Sequence, residues 1–280
     1  MIGRALVRAS EWFGLVRSFT LYWRPGRQRG LRRLYSFFVT SGGLVFDIGA
    51  HLGDRTVAFA ALGARVISVE PQPRMAWWLR RITRWNNRVT VRTEAIGAVS
   101  GTGKLAISRR TPTMSTLSTG WRDAIHKSNP GARKVRWEDE VEVSVVTLDS
   151  LIETYGAPEF CKIDVEGYEL EVLAGLNQPV AGLSIEFVHG ALEEAVACVR
   201  RIRELGPYRF NIVVGERRDF GFDAWATADE IIDWLTVGSG GTSSGDKVEV
   251  AGSPVLRKQG CGIREVLRAI PRFKRITLDR

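Results

Sequence analysis

Ten residues, Leu44-Val45-Phe46-Asp47-Ile48-Gly49-Ala50-His51-Leu52-Gly53, constrain this chain more than any other stretch. An apolar run enters an acid, then a glycine-rich turn, and then Asp54 to Leu62, whose pattern reads as a helix. A buried strand, a tight glycine turn and a helix N-terminus form the opening of a nucleotide-binding α/β unit. Side chains at the glycine positions would hold a ligand away from the backbone. Seventeen residues beyond Gly53, the run Arg65 to Val69 ends in Glu70. An acid at the tip of the second strand, about 20 residues on, is where a ribose is gripped through its hydroxyls.

The glycine spacing separates two cofactor classes. A nicotinamide or flavin site uses G-x-G-x-x-G, with the pyrophosphate on the helix N-terminus. Here three residues separate Gly49 from Gly53, and Asp47 precedes them by two. An acid at that point suits a donor carrying an ammonium and a sulfonium, which is S-adenosylmethionine, and repels a pyrophosphate. Taken alone, the glycines would also serve any tight strand-to-helix turn; Glu70 tips the reading toward a cofactor.

The net charge of +9 is unevenly spread: residues 1–40 carry +7 and residues 257–280 carry +6, leaving −4 for the body. Domain organisation follows: a basic helical extension over 1–40, a catalytic domain over 41–256 and a basic tail over 257–280. In the first of these, Ile2, Leu6, Ala9, Phe13 and Val16 recur at helical spacing between Arg4, Arg8 and Arg17. Such a segment either packs on its own domain or lies on an anionic membrane or a partner. The arginines interrupt any secretory signal core, and Cys161, Cys198 and Cys261 lack C-x-x-C spacing. Both point to a reducing, cytoplasmic setting, with peripheral membrane contact as an option. His51, His126 and His189 are scattered, so no metal site is legible.

Strand patterns at 65–69, 89–93, 104–108, 141–146, 160–164, 183–187, 208–214 and 247–251 mostly alternate with helical stretches. They predict a Rossmann-like α/β fold, with a mostly parallel sheet and one late antiparallel strand. Asp47, Glu70, Glu94, Asp164 and Glu186 fall at or near strand C-termini, where ligands of such sheets bind. The segment Arg109 to Glu140 reads as polar and irregular, a loop long enough to be functional.

Together, Val45-Phe46-Asp47-Ile48-Gly49-Ala50, Val69-Glu70-Pro71, Glu94-Ala95-Ile96-Gly97, Thr147-Leu148-Asp149 and Lys162-Ile163-Asp164-Val165-Glu166-Gly167-Tyr168-Glu169 resemble the FkbM family of S-adenosylmethionine-dependent methyltransferases. Ser244-Gly245-Asp246 is similar to one branch of it, and the likeness spans about Leu44 to Ala251. The resemblance implies a seven-stranded sheet with helices on both faces, and O-methylation of a sugar, glycan or polyketide-type hydroxyl. It places Asp47, Gly49 and Gly53 at the methionine end, Glu70 at the ribose, and Glu94 with Ala95 at the adenine. Ala50, His51, Pro71 and Asp164 complete the donor set; at His51 the family more often has Asn.

Methyl transfer to oxygen needs alignment and a base. Asp164, Glu166 and His189 are the candidates, with Glu186 as a second acid and Lys162 as a partner for one of the carboxylates. A divalent ion on Asp164 has no ligand spacing to support it. Three rivals remain at this point: an RNA methyltransferase using the basic ends, an NAD-type Rossmann oxidoreductase, and a non-catalytic scaffold, which would have no need of Asp164, Glu166 and Glu70 at the strand ends. Against the first, the fourth strand lacks an Asn/Asp-Pro-Pro-Tyr/Phe string, and acidic strand tips suit polyanions badly.

Overall fold

The run Leu44–Ile48 (β1) has polar residues only at Asp47, and its last four residues are buried. A strand apolar on both faces belongs in the middle of a parallel sheet. In the computed structural model, which describes residues 2–188, 192–215, 218–237 and 247–254, β1 lies between Arg65–Val69 (β2) and Phe160–Ile163 (β7), parallel to both. Val89–Arg92 (β3) pairs parallel to β2, and Leu183–Val188 (β8) pairs parallel to β7. Lys247–Pro254 (β10) runs antiparallel between β8 and Tyr208–Val214 (β9), giving seven strands in the order β3-β2-β1-β7-β8-β10-β9.

Side-chain alternation sends two apolar sets to opposite faces. Val45, Val66 and Phe160 meet Leu31, Leu34 and Tyr35 of Arg27–Tyr35 (α2), and Ala58 and Phe59 of Asp54–Ala61 (α3). Phe46, Ile67, Ile163 and Ile185 meet Leu148–Tyr155 (α6), Glu169–Ala174 (α7), Leu192–Leu205 (α8) and Ala228–Thr236 (α9). Thr147 caps α6 through Ser150, and Thr227 with Glu230 forms a capping box on α9. Pro73–Thr83 (α4) links β2 to β3 and opens on a proline, which suits the first helical turn.

Two regions go beyond the sequence reading. Ala95–Ile96 (β4), Gly101–Ile107 (β5) and Asp139–Val146 (β6) form a separate three-stranded sheet in the order β4-β6-β5. The alternation of β5 and β6 is that of strands with one wet face, and it carries no information about which sheet they join. Within Arg109–Glu140, Ser118 accepts a hydrogen bond from the Trp121 amide and caps a helix, Thr119–Ser128 (α5). Short 3-10 turns lie on either side, at Pro112–Met114 and Pro130–Ala132. Polar surface residues obscure α5, whose buried side chains are Trp121 and Ile125.

The first forty residues form Ile2–Tyr22 (α1) and α2, parted at Arg24-Pro25-Gly26, where Gly26 has φ +82°. Their buried sides join the domain's cores: Leu15 packs with Leu52 and Met75, and α2 lies on α3. Buried Arg27 donates to Asp54 at 2.7 Å and ties α2 to the first turn of α3. The Ser244-Gly245-Asp246 string, His189 and the 257–280 tail lie outside the described residues.

Candidate active site

The tips of β1, β2 and β7 surround a crevice of about 660 Å³, counted out to its mouth. Its first wall is the glycine turn, which hangs on the end of β2: the Gly49 and Ala50 amides donate to the Val69 carbonyl at 2.9 and 3.0 Å. The His51 amide donates to Glu70 Oε2 at 2.7 Å, and the Gln72 amide to Glu70 Oε1 at 2.8 Å. Glu70 therefore holds the turn as well as facing the crevice. Burial pushes its carboxyl up to about 7, against the two amide bonds that favour the charged form.

Gly49 has φ +77°, and a Cβ there would collide with the Asp164 carbonyl oxygen. Its smallness is thus required by the neighbouring strand as well as by any ligand. The Asp164 amide returns to the Ile48 carbonyl at 3.0 Å, which locks the tips of β1 and β7 together. Buried Lys162 donates to Asp164 Oδ2 at 2.7 Å, which selects one of the carboxylates the sequence left open. Glu166 follows at φ +53° and Gly167 at φ +82°. Glu169 accepts from the Val165 and Gly167 amides, both at 2.9 Å, and so clasps the turn from the helix side. Burial pushes the Glu169 carboxyl up to about 8.

Of the donor-side residues named from sequence, Gly49, His51, Glu70, Pro71, Ala95 and Asp164 line the crevice. Asp47, Ala50, Gly53 and Glu94 do not. Asp47 is fully buried behind the turn, accepts from Thr56 Oγ1 at 2.5 Å, and is pushed up by desolvation, with Lys162 opposing. Its Oδ1 has no hydrogen-bond partner among the described residues. Gly53 starts α3 at φ +75° and packs against Leu79. The Glu94 carboxylate is turned to Arg92, which lowers its pKa. Glu186 is held by Arg55 at 2.9 Å.

Several residues that line the crevice escaped the sequence reading. Tyr22, the last residue of α1, lies in its wall with its ring 5.2 Å from that of His51. Gln72 donates to the Pro112 carbonyl and Ser115 Oγ, both at 3.1 Å, and fastens the 112–117 segment over the opening. Tyr168 closes the β7 side. The helical spacing of α1 was a usable signal for packing, but nothing local said that its end reaches the site.

A second, shallow hollow shares Asp164 and Glu166 with the crevice. Trp121 of α5 stands in its wall; a Cβ on Gly167 would run into its ring. Glu186 and Glu194 also line it, and burial pushes Glu194 up to about 7. The two hollows thus share two carboxyl-bearing residues in their walls.

The crevice lining includes three carboxyls and neither Lys nor Arg. A charge about 6 Å from a carboxylate interacts by roughly 3 kcal/mol at an effective dielectric of 20. That sign favours an ammonium or sulfonium and opposes a pyrophosphate, so the residues fit S-adenosylmethionine and fit a nicotinamide dinucleotide badly. Among the described residues, no group of three or more acidic, His or Cys side chains is placed to hold a metal.

The Methyltransferase FkbM domain family matches residues 47–247. No curated protein matches the chain in sequence. Among solved structures, similar ones include precorrin-6Y C5,15-methyltransferase of Geobacter metallireducens, at 12% identity over 81% of this chain and 86% of that one, TM-score 0.42. An O-methyltransferase of Bacillus cereus in complex with SAH shares 15% identity over 82% and 81% of the two chains, TM-score 0.40. An S-adenosylmethionine-dependent O-methyltransferase of Thermotoga maritima shares 10% over 84% and 67%, TM-score 0.41. Likenesses this distant carry none of the assignment, which rests on the family match and on the residues of the crevice. The chain belongs to the FkbM family of S-adenosylmethionine-dependent methyltransferases.

Proposed function

We propose that this methyltransferase acts on oxygen, at a hydroxyl of a sugar, glycan or polyketide-type natural product. The observation that carries the reading is the shared wall of the two hollows, where Asp164 and Glu166 line both the donor crevice and the Trp121-walled hollow. When bound, S-adenosylmethionine supplies an electrophilic methyl group on a cationic sulfur. Glu70 would accept hydrogen bonds from the donor's ribose, and the Gly49–His51 turn would cover its methionine end. Asp164, oriented by Lys162, or Glu166, held by the clasped turn, would take the acceptor proton. Carboxylates accept well from hydroxyls, and an indole presents an apolar face to a ring. The same acids would repel phosphates, which disfavours a nucleic-acid acceptor.

The test is transfer of a labelled methyl group from S-adenosylmethionine by the full chain to a panel of glycans, glycolipids and macrolide-type hydroxylated compounds, with RNA as a comparison. The reading expects an O-methyl ether in one of the first three classes. Methyl recovered on RNA, or on a carbon or nitrogen atom, would overturn it. Asp164→Asn and Glu166→Gln should each lower kcat by about 10²-fold or more if the residue is the base. Unchanged turnover in both variants would remove the base from this shared wall.

A further inference from the structure

We propose that the outward face of α1, with exposed Trp77 and the arginines of α4 and with Arg84 and Trp85 just beyond its end, is a docking surface for an anionic lipid bilayer. The helix is apolar on two sides. Leu15 faces inward to Leu52 and Met75, with half-buried Phe19 against Trp78 at 5.5 Å. On the adjoining side, Ala9, Trp12, Phe13 and Val16 stand at i, i+3, i+4 and i+7, and all four are exposed. Trp12, Phe13 and Val16 retain 57%, 54% and 55% of their accessible surface. In sequence the same register continues upstream through Ile2, Ala5 and Leu6. A globular helix normally turns a stripe of this spacing toward its core. Here the core side is already provided for, and the second stripe faces out.

Cations surround it. Arg74 of α4 stacks on Trp12 at 5.8 Å and pairs with Glu11 at 2.9 Å, which sets α4 against the stripe. Trp77 is 51% exposed with Arg81 stacked at 5.0 Å, and Trp85 is 87% exposed with Arg84 at 4.9 Å. Arg110 covers Phe13 at 5.0 Å. Residues 73–92 hold six arginines and no acid, and residues 1–35 hold eight against the single Glu11.

Indoles settle at headgroup depth, guanidinium groups bind phosphates, and an aliphatic and aromatic stripe enters the acyl boundary. This charge complementarity selects an anionic bilayer over a neutral one. The aliphatic Ala9 and Val16 have no use on a nucleic acid, whose bases stack on aromatic planes. No helix among the described residues is long and apolar enough to cross a membrane, so α1 would lie along the surface. Its last residue, Tyr22, lines the donor crevice, so one helix joins the docked face to the site. The surface stands whichever acceptor the enzyme takes.

Vesicle flotation of the full chain tests this. Binding should be strong to phosphatidylcholine vesicles containing phosphatidylglycerol, weak to phosphatidylcholine alone, and reduced by salt. Trp12→Ser with Phe13→Ser and Val16→Ser should lower partitioning by about 100-fold. Arg81→Glu with Arg84→Glu should lower it by at least about fivefold per residue. These side chains face solvent, so both variants should keep the parent's melting midpoint and its affinity for S-adenosylhomocysteine. Failure of the full chain to float, equal binding to neutral and anionic vesicles, or variants that float like the parent would each overturn the proposal. A dimer in light scattering that the triple variant dissolves would instead assign the stripe to a second copy of the chain, and competition of flotation by RNA would assign it to nucleic acid.

Discussion

At Glu70, one carboxylate does two jobs that depend on its charge. It accepts the His51 and Gln72 amides and stands in the crevice where a ribose would reach it. With its carboxyl pushed up to about 7 by burial, it is largely protonated below that pH. A donor that needs the ionised form must displace the proton, so affinity for S-adenosylhomocysteine should rise with pH, by up to about tenfold per unit below pH 7, and level off above it. Isothermal titration across that range checks the slope, and Glu70→Gln should bind weakly and without it. A flat profile in the parent protein would detach Glu70 from the ribose. Gly49 makes a different residue-scale claim. Ala at φ +77° with the Asp164 carbonyl in the way should cost about 2–4 kcal/mol, read from urea unfolding.

Among elements, the joint between α2 and α3 is the most exposed to single changes. Arg27 and Asp54 are both nearly inaccessible, and Arg55 lies farther from Asp54, at 3.8 Å, so losing Arg27 removes the closer of two cations from a buried carboxylate. Arg27→Ala should destabilise by about 3–5 kcal/mol, whereas Arg27→Met combined with Asp54→Leu should recover most of that loss. Equal destabilisation by the single and double variants would show that packing, and not charge, governs the joint. The turn between β7 and α7 is a second such joint. Its Gly167 touches Trp121, so α5 is fastened to the end of the sheet beside the second hollow. Trp121→Ala should cost about 3–5 kcal/mol and raise KM for the acceptor more than for the donor. Parallel donor and acceptor kinetics would separate the two effects.

For the whole molecule, the buried acids set the pH dependence of stability. Asp47, Glu70 and Glu169 all have raised pKa values, caused first by burial. A raised carboxyl binds its proton more tightly in the folded state. The stability it contributes is therefore present at low pH and is lost as pH rises from the unfolded value through the folded one. The ligand-free protein should lose at least about 2 kcal/mol between about pH 5 and about pH 8, followed by chemical denaturation. Excess S-adenosylhomocysteine should shrink that loss, because Glu70 would then be held ionised. Stability that instead rises over this range would show that these acids are ionised in the folded state.

Local chemistry carried much of the reading. The strand, turn and helix around Gly49 and the acid at the tip of β2 are decided by residues close together in the chain, as are the alternation of β5 and the cap of α6. The family match and the seven-stranded sheet agree with what those patterns implied. Other facts needed the folded chain because they join residues far apart. Nothing near Glu186 says that Arg55 holds it, and nothing near Gln72 says that it reaches Ser115. The strands β5 and β6 looked like any others, yet they pair with β4 outside the main sheet. By itself the sequence determined the donor unit, since backbone conformation and hydrophobic period are short-range properties. The tertiary structure decided which carboxyl-bearing residues the two hollows share, that Tyr22 closes the crevice, and that α1 turns a second apolar face outward, because burial and orientation depend on contacts between distant elements.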